Sequence, residues 1–181
     1  MKDLQIIISG LGGQGVLFIT KLLAGAAMAE NCRVMTSETH GMAQRGGNVI
    51  SYLKIGEFSG PLIRPGKADA LIALKEESFY HHNYFIGPEG FAVVNSPGAP
   101  DSSGMRTYWS DAENLALEAG SPRSANIVML GFFTAVLGSD LITLESMAGV
   151  VQNKFKNKEN ISAGVLDLLD KGFGLYGKDR P

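Results

Sequence analysis

Residues 4–15 read LQIIISGLGGQG, and residues 16–30 continue VLFITKLLAGAAMAE. Leu4 to Ile8 is a short apolar run rich in β-branched side chains, the composition of a strand buried on both faces. Gly10, Gly12, Gly13 and Gly15 then punctuate a turn, and Val16 to Glu30 carries Leu17, Leu22, Leu23 and Met28 among the apolar positions of a helix. Strand, glycine loop and helix in that order open a doubly wound α/β domain. The segment Ala24-Gly25-Ala26-Ala27 is unusually small. Gly25 alone costs about 1 kcal/mol against alanine in a helix interior, so close packing of this helix on the sheet is expected as compensation.

The same alternation continues downstream. Strands are expected at Arg33 to Ser37, Asn48 to Ile55, Asp69 to Leu74, Phe91 to Asn95 and Met105 to Trp109, with a short helix starting at Lys75. Ser110 with Glu113 fits a capping box, opening a helix that runs to about Ala119. The last third reads as helical. Asn126 to Gly138 is apolar on all sides, with Ser124 as its N-cap, and is read as core in preference to a subunit interface. Thr143 to Phe155 is a second helix; Ile161, Val165, Leu168 and Leu169 form one stripe on a third, stopped by Gly172, and the tail from Gly174 is expected to fray. The expected fold is therefore α/β: a single Rossmann-like domain over residues 1–181, a mainly parallel sheet with helices on both faces, and a helical C-terminal third. The loops at residues 10–15 and 38–47 each follow a strand, so both belong on one rim, where such sheets bind ligands.

Composition removes several classes of function. Of 181 residues, 45% are hydrophobic and 19% charged, with a net charge of −2, which gives a full core and no basic footprint for nucleic acid. Cys32 is the only cysteine. It forms no internal disulfide, in keeping with a reducing compartment, and an iron–sulfur cluster takes about four thiolates. His40, His81 and His82 have no metal-ligand spacing with cysteine or acidic partners. The longest apolar run, Ile127 to Gly138, falls short of the roughly 20 residues of a spanning helix, and the opening residues lack a secretory pattern. No membrane association and a cytoplasmic location are the expectations.

Gly10-Leu11-Gly12-Gly13-Gln14-Gly15 matches G-x-G-x-x-G after a strand and before a helix. Glycines let a phosphate approach the backbone, and the helix N-terminus offers unpaired N–H groups. The alternative is that they only let the helix cross close to the sheet. A dinucleotide site also wants an acidic residue about 20 residues on, and Glu38 sits near that place. The loop after it is long and ends Gln44-Arg45-Gly46-Gly47, which that fingerprint does not demand. Arg45 suits a forked contact to phosphate or carboxylate, or else pairs with Glu38. His40 is either a group titrating near neutral pH or a surface residue. Arg64 and Lys67, in the turn Pro61 to Asp69, add positive potential to the rim or simply stay solvated. There is no G-x-S-x-G elbow, no Walker G-K-[ST] and no thiamine-diphosphate metal loop.

Four ordered segments, GLGGQG, SETHGMAQRGGNVISYLKIG, PLIRPGKADALIAL and NIVMLGFF, resemble the γ subunit or domain of 2-oxoacid:ferredoxin oxidoreductases. SETHGMAQRGG is most similar to the small subunit of the indolepyruvate enzymes, with pyruvate and 2-oxoglutarate relatives differing in the middle of that loop. The resemblance implies oxidative decarboxylation of a 2-oxoacid, an aryl pyruvate by first preference, to an acyl-CoA with ferredoxin as acceptor. It implies that thiamine diphosphate and iron–sulfur clusters sit on partner subunits, so that the isolated chain is inactive. For this chain it implies a supporting role: Gly10, Gly12, Gly13, Gln14, Gly15, Gln44 and Arg45 toward coenzyme A, with His40, Gly46 and Gly47 at the subunit boundary, and no catalytic residue. A stand-alone NAD(P)-binding oxidoreductase and a pure scaffold subunit remain the alternatives, and a homodimer is open to the isolated chain.

Overall fold

The computed structural model describes residues 3–39, 47–139 and 141–177, and these form six strands and six α-helices. The order is β1 (Leu4–Leu11), α1 (Val16–Ala29), β2 (Val34–Thr39), β3 (Asn48–Ile55), β4 (Ala68–Ala73), α2 (Glu76–His82), β5 (Ile86–Asn95) and β6 (Arg106–Ser110). The helical third follows as α3 (Ala112–Glu118), α4 (Ala125–Leu137), α5 (Leu144–Lys154) and α6 (Glu159–Phe173). The strands form one sheet in the order β2-β3-β1-β4-β5-β6. β1, β4, β5 and β6 pair in parallel; β3 runs antiparallel to both its neighbours. Its register runs the full length of β1, from Leu4↔Ile55 to Leu11↔Asn48.

β1 lies at the centre, and Ile6, Ile7 and Ile8 are all fully buried, as a run apolar on both faces requires. Ile6 and Ile8 face the larger core, with Leu53, Ile72 and Val93, under α1, α3, α4, α5 and α6. Ile7 faces the smaller one, with Leu71, Ala92 and Val94, where the seven-residue α2 supplies Phe79. The two covers are thus very unequal. Ala26 and Ala27 of α1 are fully buried in the larger core. Gly25 serves a different contact from the one expected: a Cβ there would lie 3.0 Å from Val150 Cγ1 of α5. It admits a neighbouring helix rather than the sheet.

α4 is core. Every residue from Ile127 to Thr134 is buried, between the sheet and α6. Two expectations for the C-terminal half need correction. Ser110 is the last residue of β6, and the cap of α3 is Asp111, whose side chain accepts from the Asn114 amide at 3.0 Å; Glu113 instead pairs with Lys75. Gly172 does not stop α6, which continues to Phe173. A Cβ on Gly172 would overlap the Val128 carbonyl of α4, and one on Gly131 would overlap the Leu169 carbonyl of α6. The two glycines bring the helix backbones into contact. Ile161, placed on the buried stripe, is 48% exposed.

Candidate functional site

β1 delivers the glycine loop to the carboxyl edge of the sheet. Gly13 and Gly15 take φ of 93° and 85°, the left-handed region where a Cβ is strained, and Gly15 is the N-cap residue of α1. Gln14 folds back over the turn so that its Oε1 accepts the Leu11 amide at 2.7 Å. The Gln14 amide donates to the Leu11 carbonyl at 3.1 Å, and the Gly12 amide donates to the Gly47 carbonyl at 3.0 Å. Three of the loop's potential anion donors, the amides of Leu11, Gly12 and Gln14, are therefore spent inside the protein. Among the described residues the amides of Gly13 and Gly15 donate to nothing.

The Gly12–Gly47 bond also joins the glycine loop to the end of the second loop, which puts both on one rim, as their positions after β1 and β2 require. Of the second loop's candidates, Gly47 lies there; His40, Gln44, Arg45 and Gly46 fall outside the described residues.

A further residue joins the site. A Cβ on Gly15 would overlap the Asn126 side-chain nitrogen, so the start of α4 meets the start of α1. The signal for Asn126 was its amide near the start of a helix otherwise apolar through Phe133. Among the six α-helices of the described residues, α1 and α4 alone have neither a side-chain cap nor an acidic residue in the first turn. Each helix start leaves up to four amides without intrahelical partners and bears about half a positive charge. Ser124, the expected cap of α4, makes no capping hydrogen bond; a 3-10 turn, Pro122–Ser124, leads into the helix instead. Arg64 and Lys67, considered for this rim, lie at its opposite, beside the entry to β4.

The nicotinamide alternative loses its acidic partner. A dinucleotide fold places that carboxylate on the strand next to the first. Here β3 intervenes, and the register Glu38↔Ser51↔Ile8 sets Glu38 two strands, about 10 Å, from β1.

Beneath the loop, on the smaller core's side, the buried Ser9 Oγ lies 2.7 Å from His82 Nδ1, which is also 3.3 Å from the Ser78 carbonyl. Burial pushes the His82 pKa below its usual value, against the Ser78 carbonyl contact, and the charge of His81 lowers it further. The neutral ring holds the Ser9 hydroxyl at Nδ1. Its folded pKa lies under the unfolded value of about 6.5, so this stability is present above that pH and is lost as pH falls through the folded value. The thermal midpoint is expected to fall more steeply below about pH 6.5 in the wild type than in His82→Gln; parallel curves would remove His82 as the cause.

Residues 5–174 match the family model for pyruvate ferredoxin/flavodoxin oxidoreductase. Indolepyruvate oxidoreductase subunit IorB of Methanothermobacter thermautotrophicus is 32% identical over 190 residues, covering 93% of each chain. Its counterpart in Pyrococcus horikoshii is 32% identical over 164 residues, 78% of this chain and 81% of that one. Among solved structures, a chain of the 2-oxoglutarate:ferredoxin oxidoreductase from Magnetococcus marinus, with 2-oxoglutarate, coenzyme A and succinyl-CoA bound, superposes with a TM-score of 0.83 at 26% identity. That superposition covers 99% of this chain but 32% of the other, so this chain spans about a third of its length. The chain belongs to the pyruvate ferredoxin/flavodoxin oxidoreductase family. Its fold is that of the family's γ subunits, among them the keto/oxoacid ferredoxin oxidoreductase γ subunit of Geobacter sulfurreducens, at a TM-score of 0.76.

Proposed function

We propose that the chain is the small, γ-type subunit of a 2-oxoacid:ferredoxin oxidoreductase complex acting on an aryl pyruvate, and that its glycine loop holds phosphate groups of coenzyme A. The family match over residues 5–174 carries the first part, and similarity to two indolepyruvate oxidoreductase subunits carries the choice of oxoacid. The meeting of the α1 and α4 starts at Gly15, beside the amides of Gly13 and Gly15, supports the second: two helix N-termini without side-chain caps or first-turn carboxylates bring partial positive charge to one place, and a Cβ built on Gly13 meets nothing within 4 Å. Coenzyme A, when bound, supplies the thiol that takes up the acyl group. The Gly13 and Gly15 amides would hold a phosphate oxygen, while Gln14, by occupying the Leu11 amide, fixes the turn that presents them. One buried cysteine does not fit an iron–sulfur cluster, so the clusters and thiamine diphosphate are assigned to partner chains.

Partner chains find a natural surface on the thinly covered face. Tyr80 on α2, Tyr84 just after it and Trp109 on β6, the outermost strand, are 45%, 55% and 45% exposed. In the ketoisovalerate oxidoreductase subunit VorA of Methanothermobacter thermautotrophicus the matching region is 36% of a longer chain, which supports a domain that works beside others. Affinity capture with the tagged chain from its host is expected to bring down a thiamine-diphosphate-binding subunit, in a complex that reduces ferredoxin with indolepyruvate and CoA. Turnover of an oxoacid by the folded chain alone, or with a nicotinamide coenzyme, would sink the proposal.

A further inference from the structure

A pocket opens at the end of the sheet opposite the glycine loop. It has a volume of about 640 Å³ and is lined by Gln5, Lys54, Arg64 and Lys67 with the turn Ser59 to Leu62. β1 separates it from the glycine loop: Gln5 lies six residues before Leu11, about 20 Å along the strand. Three cationic side chains line it in a chain of net charge −2, and no carboxylate does.

Lys54 is the unusual member. It pairs with Gln5 across β3 and β1 on the smaller core's side, and it is only 9% exposed. Lysine is almost never that buried unless paired. Its ammonium sits 4.8 Å from the centre of the Phe58 ring, and among the described residues it has no carboxylate within ion-pair distance. Asp69, on β4, is turned to the Gln5 amide at 2.7 Å. Arg64 and Lys67 are exposed and likewise have no ion-pair partner among the described residues. Pro61 and Pro65 limit the turn that carries Arg64. Most of Lys54 is buried as an apolar stem, so its positive charge, without a counter-ion among the described residues, is directed to the pocket it lines, and an anion bound from solution would supply that partner.

We infer that this pocket is a binding site for a phosphorylated small molecule, held through its phosphate groups by Lys54, Arg64 and Lys67. Arg64 supplies the planar fork that matches two phosphate oxygens, and the two lysines supply point charges on either side. The volume lies within the roughly 300–1,000 Å³ of small-ligand pockets. The pocket is independent of the proposed coenzyme A contact, because it shares no residue with the glycine loop.

The test is calorimetry and thermal unfolding of the full chain with inorganic pyrophosphate, inorganic phosphate and a hexaglutamate peptide, all at one ionic strength. Pyrophosphate is expected to bind with one-to-one stoichiometry at this pocket and raise the midpoint by a few degrees, with phosphate weaker. Lys54→Met keeps the aliphatic stem without the charge, and Arg64→Gln alters only an exposed turn; each is expected to weaken pyrophosphate about tenfold or more. Gly13→Asp, in the other loop, is expected to leave this binding in place. Should Lys54→Met fail to fold, Arg64→Gln decides the matter. The proposal is overturned by no pyrophosphate binding at about 10 mM, by equal affinity in Arg64→Gln, by loss of all binding in Gly13→Asp, or by hexaglutamate binding where pyrophosphate does not.

Discussion

Gly172→Ala is expected to lower the thermal midpoint by about 4–8 °C, while Gly164→Ala, on the same helix, raises it by a few degrees. Both gain the same intrinsic term, since alanine is about 1 kcal/mol better than glycine inside a helix. What differs is the space. Nothing lies within 4 Å of a Cβ built on Gly164. On Gly172 the same atom would overlap the Val128 carbonyl, with the Val128 Cα at 3.0 Å and its carbonyl carbon at 2.9 Å. These are backbone atoms of a buried helix, so no side-chain rotation relieves the overlap, and α6 must move off α4. Overpacking of this kind costs about 3 kcal/mol or more, which outweighs the propensity gain. At roughly 2–4 °C per kcal/mol for a chain of this size, the net loss is easily measured by calorimetric unfolding. A midpoint that rises in both variants would show that α6 is not held against α4 in solution. Gly131→Ala, the reciprocal change against the Leu169 carbonyl, is expected to fall with Gly172→Ala.

That pair of glycines shows where the sequence stopped being legible. Gly172 follows a hydrophobic stripe, and glycine after a stripe is the ordinary mark of a helix end. Its actual role depends on Gly131, 41 residues earlier, and a contact between two backbones leaves no local pattern. The strand–loop–helix opening and β3 were read well because burial of alternate or consecutive side chains is a local requirement of each strand. Strand order was not readable in the same way. β3 has the alternation of many strands, and nothing local says that it inserts antiparallel between β1 and β2. That insertion decides chemistry, since it carries Glu38 away from the first strand and with it the acidic residue a dinucleotide site needs. Lys54 and Arg64 lie ten residues apart in sequence, and only the turn between β3 and β4 brings them to one pocket.

The glycine loop was legible as a motif, but its working donors were not. G-x-G-x-x-G treats the loop's amides as equivalent, whereas here Gln14 and Gly47 occupy those of Leu11 and Gly12. What remains are Gly13, Gly15 and the two uncapped helix starts. This is a small site, and its strength rests on field as much as on hydrogen bonds: each favourable anion–dipole contact is worth about 0.3–1 kcal/mol when exposed and up to about 2 kcal/mol when partly buried.

A charge placed in that field is therefore expected to have the largest functional effect. Gly13→Asp in the assembled complex is predicted to raise the apparent KM for CoA by about tenfold or more, equivalent to at least about 1.4 kcal/mol. The position is suited to the test because a Cβ on Gly13 meets nothing within 4 Å, so the new carboxylate has room at the amides it would block. The φ of 93° strains any side chain, and aspartate and asparagine tolerate positive φ better than most. Gly13→Asn carries nearly the same shape and the same backbone strain without the charge. The ratio of apparent KM between the two variants thus isolates electrostatic repulsion from distortion of the turn. An Asp/Asn ratio well above one that shrinks as salt is raised is the expected result, because an exposed charge interaction is screened over about 10 Å at 0.1 M. A ratio of one at all salt concentrations would mean that no phosphate approaches Gly13, and the loop's glycines would then serve only the close crossing of α1 and Asn126 over the end of β1.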